Sequence, residues 1–213
     1  QDSGFGWLGK IPKHWEIKKL KFNALVQFSN VNKKSEEGEI PVRLCNYVDV
    51  YYNDFITPDL AFMEATASAD EIKKFHLKTG DVLLTKDSEE WTDIAIPAYM
   101  SFEELDLICG YHLAQVRPKE NLIQGKYLFW FLSANCVNYQ FRVEASGVTR
   151  YGLSNYALSN SVCLIPPKKE QETIASFLDK KTTQIDGQVA RERRSIELLK
   201  EYRTALISEA VTG

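Results

Sequence analysis

The sequence predicts an α+β fold, in which a globular domain of mixed strands and helices is followed by one long C-terminal helix. Before Pro166 and Pro167, short apolar runs alternate with turn residues, as in a domain built from short strands. Between Lys168 and Val211 there is no proline, one glycine and a high density of Glu, Lys, Arg, Gln, Ala and Leu, which is typical of a helix. We therefore expect a globular domain at 1–167 and a long helix at 168–213.

Six apolar runs predict the strands of the globular domain. They are Val42–Cys45, Asp81–Leu84, Ile94–Ile96, Asp106–Cys109, Leu113–Val116 and Ser161–Ile165. Apolar residues spaced three and four apart predict a helix over Gly125–Ala145, and a second helix is expected at Ala69–Phe75.

The C-terminal segment carries a heptad pattern. Its apolar seam includes Leu178, Ile185, Val189, Ile196, Leu199 and Leu206. At 1.5 Å per residue, a helix of about 42 residues is about 63 Å long, which is more than the preceding domain can cover. We therefore expect a partner helix. The alternative is a helix that folds back along its own domain.

Composition places the chain among ordinary globular proteins, since 44% of its residues are hydrophobic and 12% are aromatic. The longest apolar run, Tyr127–Leu132, is far shorter than the roughly 20 residues that span a bilayer. The four cysteines lie far apart in the sequence, which predicts buried free thiols in a cytoplasmic protein rather than a zinc site. They are Cys45, Cys109, Cys136 and Cys163.

The charge distribution leaves two interpretations open. A net charge of −3 argues against a nucleic-acid partner. However, basic residues are in excess at 10–21 and 107–169, whereas acidic residues are concentrated at 36–39, 87–93 and 103–106. This segregation is compatible with one basic face that binds phosphates, and equally with a solvated surface of mixed charge.

One pattern resembles a metal-dependent nuclease site. Asp59, Glu71 and Lys73 have the spacing of two carboxylates and a lysine that would act on a Mg²⁺-bound water. Yet Ser68 precedes Glu71 as a helix cap would, and this places the glutamate in a first helical turn instead of on a strand. The three histidines share no local motif. We therefore predict no catalytic centre, no metal and no cofactor in this chain.

Polar and basic side chains in predicted loops could instead recognise DNA. Arginine can pair with guanine, asparagine with adenine, and hydroxyl groups with the backbone. The candidates are Arg43, Asn46, Tyr47, Lys86, Ser88, Ser146, Thr149, Arg150, Tyr151 and Asn155. Arg150, Thr149, Lys86, Ser88 and Asn46 are favoured because they combine this chemistry with predicted loop positions. The alternative is that these are ordinary turn residues, with Ser154 and Asn155 capping a short helix.

Segments spread over nearly the whole chain resemble the specificity (S) subunit of type I restriction–modification systems. The matching segments are 7–16, 80–84, 110–113, 117–118, 146–153, 165–167, 170–171, 174–179, 182–186, 198–203 and 210–212. The run from 146 to 179 is the most specific of them.

This resemblance implies a division of labour between the two parts of the chain. The globular part would be a target-recognition domain for one half of a split DNA sequence, and the helix would be a spacer that packs against a second, antiparallel spacer helix. An S subunit has no activity alone. It positions two modification subunits that methylate adenine at N6 with S-adenosylmethionine and, through them, the restriction subunits.

The sequence departs from the family pattern in one respect: a full S chain has two recognition domains and two spacers, and this sequence has one of each. It is therefore expected to be a fragment of a two-domain chain or a natural half-subunit. We expect two copies to pair through the heptad seam as a homodimer and to recognise two inverted copies of one half-site. Two other functions stay open from the residues: a coiled-coil adaptor without a DNA role, and a nuclease that uses Asp59, Glu71 and Lys73.

Overall fold

A computed structural model describes residues 1–213, which divide into two units, Gln1–Glu172 and Thr173–Gly213. The strands are β1 (Glu16–Lys19), β2 (Ala24–Phe28), β3 (Ile40–Cys45), β4 (Phe55–Ile56), β5 (Met63–Ala67), β6 (Val82–Thr85), β7 (Asp87–Ser88), β8 (Pro97–Met100), β9 (Leu107–Cys109), β10 (Leu113–Pro118), β11 (Tyr151–Gly152) and β12 (Val162–Ile165). The helices are α1 (Leu20–Asn23), α2 (Tyr47–Tyr51), α3 (Ala69–Phe75), α4 (Gly125–Ser133), α5 (Asn135–Glu144), α6 (Asn155–Asn160) and α7 (Lys168–Thr212), with a 3₁₀ turn at Trp91–Asp93.

Two sheets form the body of the first unit. The larger has the strand order β2-β10-β6-β8-β4, antiparallel except for the β4–β8 pair. The smaller has the order β5-β3-β9, with β3 and β9 parallel. Two short ladders, β1–β12 and β7–β11, complete the strand pairing. The fold is thus α+β, as the sequence predicts.

One cluster of the hydrophobic core combines residues of these two sheets. Leu44 and Ile108 come from the smaller sheet, Leu83 and Met100 come from the larger one, and Phe75 comes from α3. All five side chains are fully buried. Helix α3 begins with a capping box in which Ser68 Oγ accepts a hydrogen bond from the Glu71 amide, as expected from the sequence.

A buried ion pair joins two of the sequence segments that resemble the S-subunit family. Arg117 at the end of β10 holds Asp81 by two contacts, Nε to Oδ1 at 2.8 Å and Nη2 to Oδ2 at 2.7 Å. Gln115 Nε2 and the Lys78 amide also donate to the Asp81 carboxylate. Because the Asp81 side chain is only 1% exposed, this network satisfies a charge that would otherwise be costly to bury.

Five of the six predicted strands are confirmed, and the strand at Ile94–Ile96 is wrong. This segment has no regular structure, and the next strand, β8, begins at Pro97. Ala95 has φ 57°, which no strand residue adopts. The segment is bonded from two sides: Asn138 Nδ2 donates to the carbonyl oxygens of Ile94 and Ala95, and the Ala95 amide donates to the Thr85 carbonyl of β6 at 3.0 Å.

The single helix predicted at Gly125–Ala145 is also wrong, because the segment forms two helices. Ala134 has φ −69° and ψ 126°, an extended conformation that ends α4 and begins α5. Both helices bury apolar residues, such as Leu128 in α4 and Phe141 in α5. Buried apolar residues thus lie on both sides of the break, and their pattern did not reveal it.

The C-terminal helix α7 runs without interruption for 45 residues, and its residues 173–213 form the second unit. The seam residues Ile185, Val189, Ile196, Leu199 and Leu206 are between 42% and 65% exposed. No helix of the chain combines the length and the apolar character that crossing a membrane requires.

The cysteine prediction holds for three residues of the four. Cys45, Cys109 and Cys163 are buried free thiols, and burial raises the pKa of each. Cys136 is exposed, because it lies at the solvent-facing start of α5.

Candidate nucleic-acid interface

The β7–β11 ladder joins two segments that the sequence analysis singled out separately. In its register Tyr151 lies opposite Ser88, and Gly152 lies opposite Asp87. The Leu153 amide extends the contact by donating to the Lys86 carbonyl at 2.8 Å. The ladder thus brings the residues around Lys86 together with those around Arg150, although more than sixty positions separate them in the chain.

Residues 146–152, here called the recognition loop, form a closed and constrained turn. The amides of Ser146 and Gly152 each donate to the other residue's carbonyl, at 3.1 and 2.8 Å. Gly147 has φ 149°, and a Cβ atom there would lie 2.0 Å from the Arg150 carbonyl oxygen. Only glycine permits this close approach. The tip residue, Val148, is 93% exposed.

Arg150 is held by an acidic residue that is itself shared with a histidine. Its Nη2 lies 2.6 Å from Asp87 Oδ1, and His112 Nδ1 lies 2.8 Å from Asp87 Oδ2. The Asp87 side chain is 16% exposed, whereas that of Arg150 is 50% exposed. Asp87 therefore fixes the direction of a guanidinium group that still faces solvent.

Lys86 is directed inward and is largely occupied. Its Nζ donates to the Ser29 carbonyl at 2.8 Å and lies 4.3 Å from the centre of the Tyr111 ring. A second ring, that of Phe28, is 5.6 Å away. Partial burial lowers the pKa of Lys86, and the neighbouring Asp87 opposes this effect. Lys86 thus supports the β7–β11 ladder more directly than it presents a charge to solvent.

Helix α2 lies beside this ladder. Tyr47, in its first turn, has a side-chain hydrogen bond with Ser88 and stacks on Tyr51 at 5.3 Å between ring centres. Burial raises the pKa of Tyr47. Tyr51 donates a hydrogen bond to Asp93, and this bond is the main cause that raises the pKa of Tyr51 to about 12. The tyrosines thereby connect α2 to the ladder and to the 3₁₀ turn.

Two of the favoured candidates, Asn46 and Ser88, are buried. Asn46 is the N-terminal cap residue of α2 and is 5% exposed, with Gly110 packed against it. Ser88 lies in β7 and is 4% exposed, and its hydroxyl accepts a hydrogen bond from the Glu90 amide. Asn46 thus keeps its predicted loop position between β3 and α2, whereas Ser88 lies on a strand, and both side chains are buried.

Arg43 and Asn155 lie outside the β7–β11 ladder. Arg43 is on β3, where its guanidinium binds Asp106 at 2.8 Å and also pairs with Glu104. Asp106 raises the pKa of Arg43. Asn155 is exposed in the first turn of α6, where Ser154 Oγ accepts a hydrogen bond from the Ala157 amide. The helix cap that the sequence analysis kept as an alternative at Ser154 is thus present.

The sequence analysis missed Asp87 and His112 as site residues. Asp87 was counted only within an acidic segment, and His112 only as an isolated histidine. Their partnership has no local sequence signal, since the two residues are 25 positions apart and meet because β6 and β10 are neighbours in the sheet.

Glu71, the glutamate of the nuclease-like pattern, has a structural role. Glu71 Oε2 accepts hydrogen bonds from the Ser68 amide at 3.0 Å and the Ser68 hydroxyl at 2.7 Å. Across the chain, no group of three or more His, Cys, Asp and Glu side chains is arranged to hold a metal ion. Glu71 therefore serves the start of α3, as its position in the sequence indicates.

The family model for the type I restriction modification DNA specificity domain matches residues 12–197. The match covers both the β7–β11 ladder and most of α7. The chain belongs to this family.

Relatives of the specificity-domain chain are specificity subunits by name, which agrees with the prediction that the chain is not the catalytic subunit. It is 23% identical to the type I restriction enzyme MjaX specificity subunit of Methanocaldococcus jannaschii over 96% of its length. It is 21% identical to the EcoKI specificity subunit of Escherichia coli K12 over 95% of its length. A shorter match, 38% identity over 70 residues, is to the EcoBI specificity subunit of Escherichia coli. The chain spans 47% and 46% of the first two relatives.

Solved structures share the fold of this specificity-domain chain. A chain from a type I R-M system superposes with a TM-score of 0.61 at 16% identity, covering 84% of this chain and 41% of the other. The HsdS subunit of Thermoanaerobacter tengcongensis superposes with a TM-score of 0.54 at 17% identity, covering 84% of this chain and 40% of the other. Here too the chain matches less than half of the larger protein.

Proposed function

We propose that this chain is one target-recognition domain and one spacer of a type I specificity subunit, and that it reads one half of a bipartite target in double-stranded DNA. Residues 1–167 are the recognition domain, and residues 168–213 are the spacer and dimerisation helix. In this proposal the chain acts in the cytoplasm, where it positions the adenine-N6 methyltransferase subunits and, through them, the restriction subunits.

The observation that carries the proposal is the β7–β11 ladder with its constrained recognition loop. Ser146, Thr149, Arg150 and Tyr151 lie on one short loop that is closed by backbone hydrogen bonds. Because Arg150 is oriented by Asp87 and half exposed, it can exchange this partner for a guanine edge or a phosphate. We assign direct DNA contact to these four residues.

The remaining candidates take other roles in the proposal. Four candidates support the ladder from within the domain, since their side chains are largely buried or bonded there: Asn46, Tyr47, Lys86 and the ladder residue Ser88. Asn155 is exposed two residues beyond the ladder partner Leu153, and we assign it a contact with the DNA backbone. Arg43 joins the binding surface only if Asp106 and Glu104 release it.

The exposed apolar stripe on residues 173–213 supports pairing of two copies. Leu178 and five exposed residues, Ile185, Val189, Ile196, Leu199 and Leu206, repeat at heptad spacing. A stripe of this length in water favours a second helix, and an identical copy in antiparallel orientation would give the two-fold symmetry that an inverted repeat requires. Light scattering should give the mass of a homodimer, and Leu199→Asp should give a monomer.

The proposal is tested by selecting DNA on the assembled complex. The chain is purified with its modification subunits, and bound duplexes are enriched from a randomised library and sequenced. We expect two short specified blocks separated by an unspecified spacer. If light scattering shows an intact complex but no sequence is enriched, the result would contradict the DNA-reading role and favour an adaptor.

A further inference from the structure

The recognition loop carries an exposed apolar side chain, Val148, at its tip. Val148 is 93% exposed, and it is followed directly by Thr149 and Arg150. An isolated apolar residue on a surface needs no explanation by itself. Here, however, the backbone of the loop that carries Val148 is constrained.

Three constraints act on the residues that flank Val148. The Ser146–Gly152 hydrogen bonds close the loop, Gly147 approaches the Arg150 carbonyl too closely for any side chain, and Asp87 holds the Arg150 guanidinium. A side chain held in this way loses little conformational entropy when it is buried in a complex. The loop therefore presents an apolar tip and a charged group in a fixed relation.

We propose that Val148 contacts the 5-methyl group of a thymine in the major groove and thereby specifies one A·T pair in each half-site. This inference rests on the proposed DNA-reading function. The thymine methyl is the apolar feature that base edges present in the major groove, and it accepts contact from small aliphatic side chains. Arg150, two residues further along the loop, supplies the polar contact that fixes the register next to it.

The test replaces thymine by deoxyuridine, which removes only the methyl group. The probes are duplexes that carry the sequence selected by the wild-type complex, each with one thymine of one half-site replaced by deoxyuridine. Binding to the full chain with its modification subunits is measured by fluorescence anisotropy at fixed salt. We expect one position at which the replacement weakens binding about four-fold, the effect of losing one buried methyl group.

Val148→Ala links that position to the loop. Because this variant removes two of the three apolar side-chain carbons, the difference between the duplexes with thymine and with deoxyuridine should shrink at the sensitive position. Leu105→Ala is the matched control, because Leu105 is 83% exposed and lies between acidic residues. This control should retain the four-fold difference.

Three outcomes would overturn the inference while leaving DNA recognition intact. The first is sequence-specific binding with no thymine position sensitive to deoxyuridine. The second is a deoxyuridine effect of the same size in wild type and Val148→Ala. The third is weaker assembly of Val148→Ala with the modification subunits at an unchanged deoxyuridine effect, which would place Val148 against protein. If the wild-type complex binds no sequence preferentially, the proposed function itself fails.

Discussion

The Arg150 guanidinium is paired with Asp87 across the β7–β11 ladder, with Nη2 at 2.6 Å from Oδ1. Asp87 is also held by His112. A carboxylate with two cationic or hydrogen-bonding partners keeps one when the other leaves. Arg150 can therefore rotate toward DNA while Asp87 keeps His112 as its partner.

Arg150→Ala should weaken binding of the assembled complex to its selected DNA by about 10- to 100-fold, the range for one bidentate base contact. The fold should persist, because a half-exposed ion pair contributes little to stability. Anisotropy titrations at several salt concentrations also separate two roles of the residue. Loss of a phosphate contact lowers the salt dependence by about one ion, whereas loss of a base contact relaxes the sequence preference. Unchanged affinity would refute the assignment of Arg150.

Gly147→Ala should abolish specific DNA binding while the domain remains folded. The added Cβ would lie 2.0 Å from the Arg150 carbonyl, so the recognition loop must rearrange. Gly152→Ala is the matched control, since its Cβ would meet no atom closer than 4.0 Å. Circular dichroism confirms folding of both variants before binding is measured. Equal binding by the two variants would show that the loop geometry is unimportant.

Arg117→Met should destabilise the domain by about 3–5 kcal/mol, because it leaves the buried Asp81 carboxylate without its cationic partner. The control is Arg194→Met, which removes an exposed pair with Glu197 and should cost less than about 1 kcal/mol. Urea denaturation of both variants measures the difference. A small cost for Arg117→Met would mean that Gln115 and the Lys78 amide alone satisfy Asp81.

The contact of Glu170 with Trp15 and His14 should make stability depend on pH in the acid range. Trp15 Nε1 donates to Glu170 Oε2 at 2.9 Å, and this bond, followed by His14, lowers the pKa of Glu170. A carboxyl whose pKa is lowered by folding stabilises the native state fully above its ordinary pKa. That contribution is lost as the pH falls through the lowered value.

Urea denaturation at about pH 5 and about pH 3 measures this contribution. The free energy of unfolding should fall more steeply for wild type than for Glu170→Gln, which has no charge to lose. Parallel decreases in the two proteins would show that the contact has no influence on the acid sensitivity.

The sequence predicted strands well where an apolar run was also paired. Leu113–Val116 is confirmed because β10 has neighbours on both sides. Ile94–Ile96 is also apolar, but Ala95 has φ 57° and Asn138, more than forty positions away, binds the carbonyl groups of Ile94 and Ala95. No proline or glycine marks the helix break at Ala134, so the apolar pattern predicted one helix instead of two. A long-range partner thus lay behind the first error, and a break without a sequence signal lay behind the second.

The chemical types of the candidate-site residues were predictable from the sequence, but the burial of their side chains was not. The exposed Thr149 and Arg150 and the buried Asn46 and Ser88 have equally polar side chains, and only the packing of α2 and β7 separates them. Asp87, which orients Arg150, was not identified because it was counted within the acidic segment 87–93, in which Glu89 and Glu90 face solvent.

The most direct test of the central claim is a map of N6-methyladenine in cells. The chain is co-expressed with its modification subunits in a host free of such methylation, and the genome is sequenced for modified adenine. The proposal predicts a split motif whose two halves are inverted copies of one sequence, and its loss in Gly147→Ala. Methylation at an asymmetric motif would contradict the symmetric dimer. No methylation by a complex of confirmed composition would contradict the recognition role itself.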